Sequence, residues 1–293
     1  MRAVKSIRTL VILLVLGLAC LALAANLGPD DRQVSQTGPV GDTAADAVTP
    51  AIAFDGNNQR YLLVWSADET DGEFRIMGQV LGGAAGTPVT PVFPIGTGPA
   101  GSDQRQPAVV FSPAHDHFLV VWSGDELNSG AFEIMGQLVD ADGALVGAAR
   151  RYSDMGSVDT DPAFDAVTPD LAWSPDLGSF LLVWAADDDL GLLTDGRFEV
   201  YGQLVDGGTG DQTGANDFRI TFSLADDLKN DVLEPSVAAQ PGTDRWFVAF
   251  EGDILDDGTH NPEIWAYGCT GDVPDGIGFN LSLMGGDPYD LSL

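Results

Sequence analysis

Basic residues are scarce: 13 Lys and Arg stand against 44 Asp and Glu, giving a net charge of −31 over 293 residues. Such a field repels phosphate backbones and anionic lipid, which argues against nucleic acid as a partner. Cysteine is nearly missing as well. Cys20 lies in an apolar N-terminal leader, so Cys269 has no intrachain partner and no disulfide framework supports the fold. Beyond residue 25 there is no long apolar run and no helical periodicity, which argues against a helical bundle. The common active-site signatures are absent too: no Gly-x-Ser-x-Gly elbow, no phosphate loop and no zinc-protease helix occurs.

The leader itself is informative. Arg2, Lys5 and Arg8 precede an apolar run from Leu10 to Ala25, and Ala22-Leu23-Ala24 supplies a small-x-small cleavage site, the pattern of a secretory signal peptide. Residues 1–24 are read as that peptide, and the run is short for a spanning helix, which needs about 20 apolar residues. The expected location is extracytoplasmic: periplasm, cell surface or medium, without stable membrane insertion after cleavage. Losing three cations leaves a mature charge of about −34 with one lysine, Lys229. A charge of this size attracts cations or basic partners, and equally gives a hydrated, aggregation-resistant surface.

What is present is repetition. Four times a proline opens a short apolar strand, at Pro50, Pro107, Pro169 and Pro235. An apolar pentad follows: Tyr61-Leu62-Leu63-Val64-Trp65, Phe118-Leu119-Val120-Val121-Trp122, Phe180-Leu181-Leu182-Val183-Trp184 and Trp246-Phe247-Val248-Ala249-Phe250. Third come Ile76-Met77-Gly78-Gln79, Ile134-Met135-Gly136-Gln137, Val200-Tyr201-Gly202-Gln203 and the degenerate Ile264-Trp265-Ala266-Tyr267. Weaker fourth strands are expected at Val92-Phe93, Arg151–Ser153, Arg219–Thr221 and Asn280–Ser282. The pentads are apolar on both faces, as in a strand covered by layers on each side. Glycine inside the third strand is expected to let another backbone approach closely.

Four-stranded units in tandem, each sandwiched between copies of itself, predict an all-β fold: a β-propeller of four four-stranded blades. Residues 25–45 form an N-terminal segment with a candidate closing strand at Arg32-Gln33-Val34-Ser35. Residues 46–293 form the propeller, with repeats at about 46–102, 103–164, 165–230 and 231–293. Seventeen strand candidates for sixteen places leave two readings: one outer strand is displaced, or the chain is an open arc.

The motifs at Phe118–Trp122, Ile134–Gln137 and Val139–Gly143 resemble exported bacterial propeller-like repeat proteins that carry a "LVVW-x-D…I-x-GQ" signature. The resemblance spans roughly residues 46–285 and implies fold and export more than activity. The fourth copy departs from it, with Phe250 for Trp and Tyr267 for Gln.

Two acids recur in every repeat. Asp46, Asp103, Asp165 and Asp231 lie four residues before the strand-opening proline, and Asp68, Asp125, Asp187 and Asp253 lie three after the pentad. Up-and-down connectivity puts all eight on one end of the ring. They are candidates for a cation site, with calcium as the cation because it accepts mixed carboxylates and carbonyls; the alternative is that each makes a side-chain-to-backbone turn bond. Asp140-Ala141-Asp142-Gly143 reads as a hairpin turn, and His115-Asp116-His117 lacks a third metal ligand. No acid stands out from its repeat equivalents, as a catalytic pair should. The expectation is therefore a monomeric, non-catalytic binding or scaffold propeller for a protein or glycan ligand, presented by the acidic loops. The alternative is a glycan-processing hydrolase or lyase using a carboxylate pair on the same face.

Overall fold

The computed structural model describes residues 34–35, 45–68, 72–96, 98–99, 101–127, 129–156, 161–188, 197–221, 232–252 and 262–281. The expected signal peptide, Asp231 and Asp253 lie outside them. Among the described residues no helix is long and apolar enough to cross a membrane. They build four antiparallel sheets, each a propeller blade.

Blade one holds β1 (Asp46–Asp55), β2 (Arg60–Asp68), β3 (Arg75–Gly82) and an outer strand broken into β4 (Thr87–Pro88) and β5 (Phe93–Pro94). Blade two is β6 (Gln104–Ser112), β7 (His117–Gly124), β8 (Glu133–Asp140) and β9 (Leu145–Arg151). Blade three is β10 (Ala166–Ser174), β11 (Ser179–Ala186), β12 (Glu199–Asp206) and β13 (Gln212–Arg219). Blade four is β14 (Val232–Ala239), β15 (Arg245–Gly252), β16 (Glu263–Thr270) and β17 (Val273–Asn280). Every sheet runs in simple sequence order.

The pentads form β2, β7, β11 and β15, and three cores lie between consecutive blades. Leu62, Val64 and Ile76 of blade one meet Val109, Phe111 and Trp122 of blade two. Leu119 and Tyr152 of blade two meet Leu171 and Trp184 of blade three, and Leu181 and Val200 meet Trp246 and Val248 of blade four. Burying a side chain of this size contributes about 1.5–3 kcal/mol, so these seams hold the arc together. Inner strands pack in the order β1, β6, β10, β14, with no comparable packing of β14 on β1. Among the described residues the arc is therefore open; the C-terminal outer candidate is part of β17 up to Asn280, whereas Val34 and Ser35 of the N-terminal candidate belong to no strand and Arg32 and Gln33 lie outside the described residues. Val34 and Ser35 lie against blade one beside Ala47, Val48, Pro50, Leu63 and Trp65.

Two details differ from the expectation. Outer strands β9 and β13 begin well before Arg151 and Arg219, immediately after the hairpin turns. Their outer residues are mostly exposed, so main-chain pairing holds them and no apolar pattern announces them. The third-strand glycine faces a side chain as closely as a backbone: a Cβ on Gly136 would lie 2.6 Å from the Tyr152 ring and 3.0 Å from the Val120 carbonyl oxygen.

A second device repeats in the outer half of the blades. Glu133 pairs with Arg151 at 2.5 Å and accepts from the Ser153 hydroxyl. Glu199 does the same with Arg219 at 2.7 Å and with Thr221. Ser153 Oγ and Thr221 Oγ1 in turn accept the N–H of Ile134 and Val200. Blade one has Arg75 and Gly96 in these places, and Gln104 Oε1 from blade two accepts the Ile76 N–H at 3.2 Å instead.

Candidate functional site

Each inner strand carries a bulge at the same point. Register slips between Val48 and Ala51, Arg105 and Ala108, Val167 and Asp170, and Leu233 and Ser236. The residue before each strand-opening proline takes a positive φ: Thr49 at 49°, Gln106 at 54°, Thr168 at 50° and Glu234 at 49°. Proline disfavours the right-handed helical region for its predecessor, and a bulge supplies the alternative. Left-handed backbone at a non-glycine residue is strained, and strain of this kind gathers where binding geometry is fixed.

The recurring acids among the described residues, Asp46, Asp68, Asp103, Asp125, Asp165 and Asp187, lie beside these bulges, at one end of the arc. Asp46 is the cross-strand partner of Asp68. Asp125 donates its backbone N–H to the Asp103 carbonyl at 2.9 Å, and Asp187 donates to that of Asp165 at 3.1 Å. Several of the carboxylates have identifiable backbone partners. Asp68 Oδ1 accepts the Gly72 N–H, and Asp125 accepts those of Ser129 and Gly130 at 2.9 and 2.8 Å, closing its own loop.

The inner acids act across blades. Asp103 Oδ1 accepts the Phe74 N–H of blade one at 3.1 Å, and Asp165 Oδ1 accepts the Phe132 N–H of blade two at 2.8 Å. Main-chain bonds complete each clasp, from Gln104 N to the Phe74 carbonyl and from Ala166 N to that of Phe132, both at 2.8 Å. Sequence reasoning anticipated a bond within a turn and missed the bond between blades. A Phe before the third strand in three repeats was its available signal.

Among the described residues no three His, Cys, Asp or Glu side chains group to hold a metal ion. His115 Nδ1 lies 3.1 Å from Ser112 Oγ at the opposite end of the arc, and Asp116 there accepts from Asn57 and Asn58 of blade one. Asp140 Oδ1 accepts the N–H groups of Asp142 and Ala144, making the expected hairpin turn.

Between the bulges of blades one to three lies a pocket of about 400 Å³. Phe74 and Phe132 line it, with Thr49, Arg105, Gln106, Ser123 and Asp165 as its polar residues. Gln106 Oε1 accepts the Thr168 N–H at 3.1 Å and so ties the second bulge to the third. Here the repeat symmetry fails. Arg105 ion-pairs with Asp103 at 2.6 Å, whereas the equivalent neighbours of the other inner acids are Val48, Val167 and Leu233. Burial pushes the Asp165 carboxyl up from its ordinary value, with the Asp125 charge adding to the shift and the Phe132 N–H opposing it. Two equivalent acids on adjacent blades thus stand in opposite surroundings, one beside a guanidinium and one desolvated beside a valine.

No family model matches the chain, and no curated protein sequence does either. Solved structures similar to it include an N-acetylgalactosamine deacetylase from F. plautii, at 14% identity and a TM-score of 0.48, covering 77% of this chain and 66% of that one. An α-L-arabinofuranosidase from Lactobacillus brevis matches at 13% identity and 0.47, over 77% of this chain and 68% of that one. A thermostable family-43 glycoside hydrolase matches at 12% and 0.47, over 84% and 74%. This chain spans about two thirds of the length of the first two. These neighbours are a deacetylase, an arabinofuranosidase and a glycoside hydrolase, and so stand against the expectation of a non-catalytic binding or scaffold propeller. At such identities the likeness is one of fold, and the chemistry rests on the site.

Proposed function

We propose that the chain is an exported glycan-processing hydrolase whose reaction centre is the pocket between blades one and three. The observation that carries this reading is the desolvated Asp165 carboxyl in a pocket lined by two phenylalanines. Sugar rings present apolar C–H faces that pack on aromatic side chains, while their hydroxyls need polar groups such as Gln106 and Arg105.

In this reading Asp165 gives a proton from Oδ2 to the glycosidic oxygen, its Oδ1 being held by the Phe132 N–H. The second carboxylate of this reading is Asp103, which stands behind the pocket lining on the Phe74 N–H and Arg105 and would have to turn from Arg105 toward the pocket to assist water at the anomeric carbon. Burial that raises the carboxyl above its ordinary value favours its protonated form, the direction proton donation requires.

The test is hydrolysis by the full chain of a glycan panel that includes arabinan, aryl α-L-arabinofuranosides and β-1,3-galactosides. Release of reducing sugar that Asp165→Asn lowers by about 100-fold or more supports the reading. No turnover of any panel member, or turnover unchanged in Asp165→Asn, would refute it.

A further inference from the structure

The open arc leaves two apolar faces whose equivalents are covered everywhere else in the molecule. On blade one, Ile52 is 56% exposed and Phe54 46%, whereas their counterparts on blade two, Val109 and Phe111, are 8% and 6% exposed. On blade four, Phe247 and Ile264 are each 43% exposed, whereas Leu62 and Ile76 of blade one are fully buried. Leu281 follows the same rule: it is 61% exposed, and its counterpart Ile95 is fully buried. Those counterparts share one donor–acceptor geometry, Ile95 N to the Ile76 carbonyl at 2.8 Å and Leu281 N to that of Ile264 at 2.7 Å.

The three internal seams show what covers each kind of face. In every one, the face bearing the second and fourth pentad residues of one blade packs on the inner-strand and Phe/Trp face of the next, which carries the first, third and fifth. Blade four presents the first kind of face uncovered, and blade one presents the second. We propose that these faces pack on each other between two copies of this chain, blade four of one copy against blade one of the next. The contact continues the internal seams and replaces the expectation of a monomer.

Its two halves differ, so the interface is head-to-tail: it closes into a ring if the rotation between copies permits and extends into a chain otherwise. Val34 and Ser35 cover the part of the blade-one face nearest the acidic rim and leave Ile52 and Phe54 open. Pro262 occupies on blade four the place of Phe74 and Phe132 and has no N–H, so a neighbouring Asp46 gains no clasp there. The contact therefore rests on apolar burial and is weaker than the internal seams. It does not depend on the proposed hydrolysis.

Sedimentation velocity of the full chain across the micromolar range tests it. Wild-type protein is expected to associate with rising concentration, and Ile52→Glu and Phe247→Glu are each expected to abolish that association. Both side chains are exposed, and near-wild-type circular dichroism and melting would show that the variants fold; Ile52→Ser and Phe247→Ser serve if either fails. Mixing the two variants is the decisive arm. Ile52→Glu keeps an intact blade-four face and Phe247→Glu an intact blade-one face, so an equimolar mixture should form a one-to-one complex and nothing larger. A wild type that stays monomeric, association indifferent to both substitutions, or a mixture of folded variants that stays monomeric would each overturn the proposal.

Discussion

Asp165 and Phe132 belong to different blades, yet the carboxylate of one holds the backbone N–H of the other at 2.8 Å. The acid proposed as proton donor thus also closes its neighbour's loop, and the two roles separate by substitution. Asp165→Asn keeps the Oδ1 acceptor, so its stability should stay within about 0.5 kcal/mol of wild type while hydrolysis collapses. Asp165→Ala leaves the Phe132 N–H unpaired and should cost about 1–2 kcal/mol as well. Urea denaturation beside a turnover assay reads both.

Gly136 has no room for a methyl group, because its Cβ would lie 2.6 Å from the Tyr152 ring and 3.0 Å from the Val120 carbonyl. Gly136→Ala should destabilise by about 1–3 kcal/mol, measured as a lower denaturant midpoint at unchanged slope.

Glu199 is fully buried against Arg219 and Thr221. Glu199→Ala would leave Arg219 without its carboxylate and Thr221 without its acceptor, at a cost of about 3–5 kcal/mol. Thermal melting should show a larger loss than for Glu73→Ala, whose carboxylate is part-exposed beside Arg75.

Asp217 titrates near neutrality. It sits at a φ of 42°, and burial, aided by the charges of Glu133 and Asp154, pushes its carboxyl up to about 7. The folded state therefore holds a proton that the unfolded chain has already released above about pH 4. Stability from this group is full below about pH 4 and is lost progressively as pH rises from there through about 7. Asp217→Asn should lie closest to wild type at or below about pH 4, gain on it steadily as pH rises from there, and exceed it by about 1 kcal/mol at pH 8, a figure discounted for partial solvent screening. Equal variant and wild-type midpoints at both pH values would contradict this.

The sequence made the blades legible because each pentad must be apolar on both faces to lie between two neighbours. The strand-opening prolines located the inner strands, and their predecessors turned out to hold the bulges. Outer strands were harder, since residues 145–151 and 212–219 are mostly solvent-facing and held by main-chain pairing. The recurring acids were found by spacing, but their clasping partners, Phe74 and Phe132, belong to other repeats. Equivalence also concealed the asymmetry of the site. Asp103 and Asp165 occupy matching positions, and their difference comes from Arg105 against Val167 and from depth in a pocket that folding creates.

The clasp also gives the molecule a direction of assembly. A loop in one blade is fastened by an aspartate that lies downstream, so a repeat leaving the ribosome stays incompletely tied until its successor arrives. Blades two and three thus each fasten the loop of the blade before them. Pro262, having no hydrogen to offer, ends that relay.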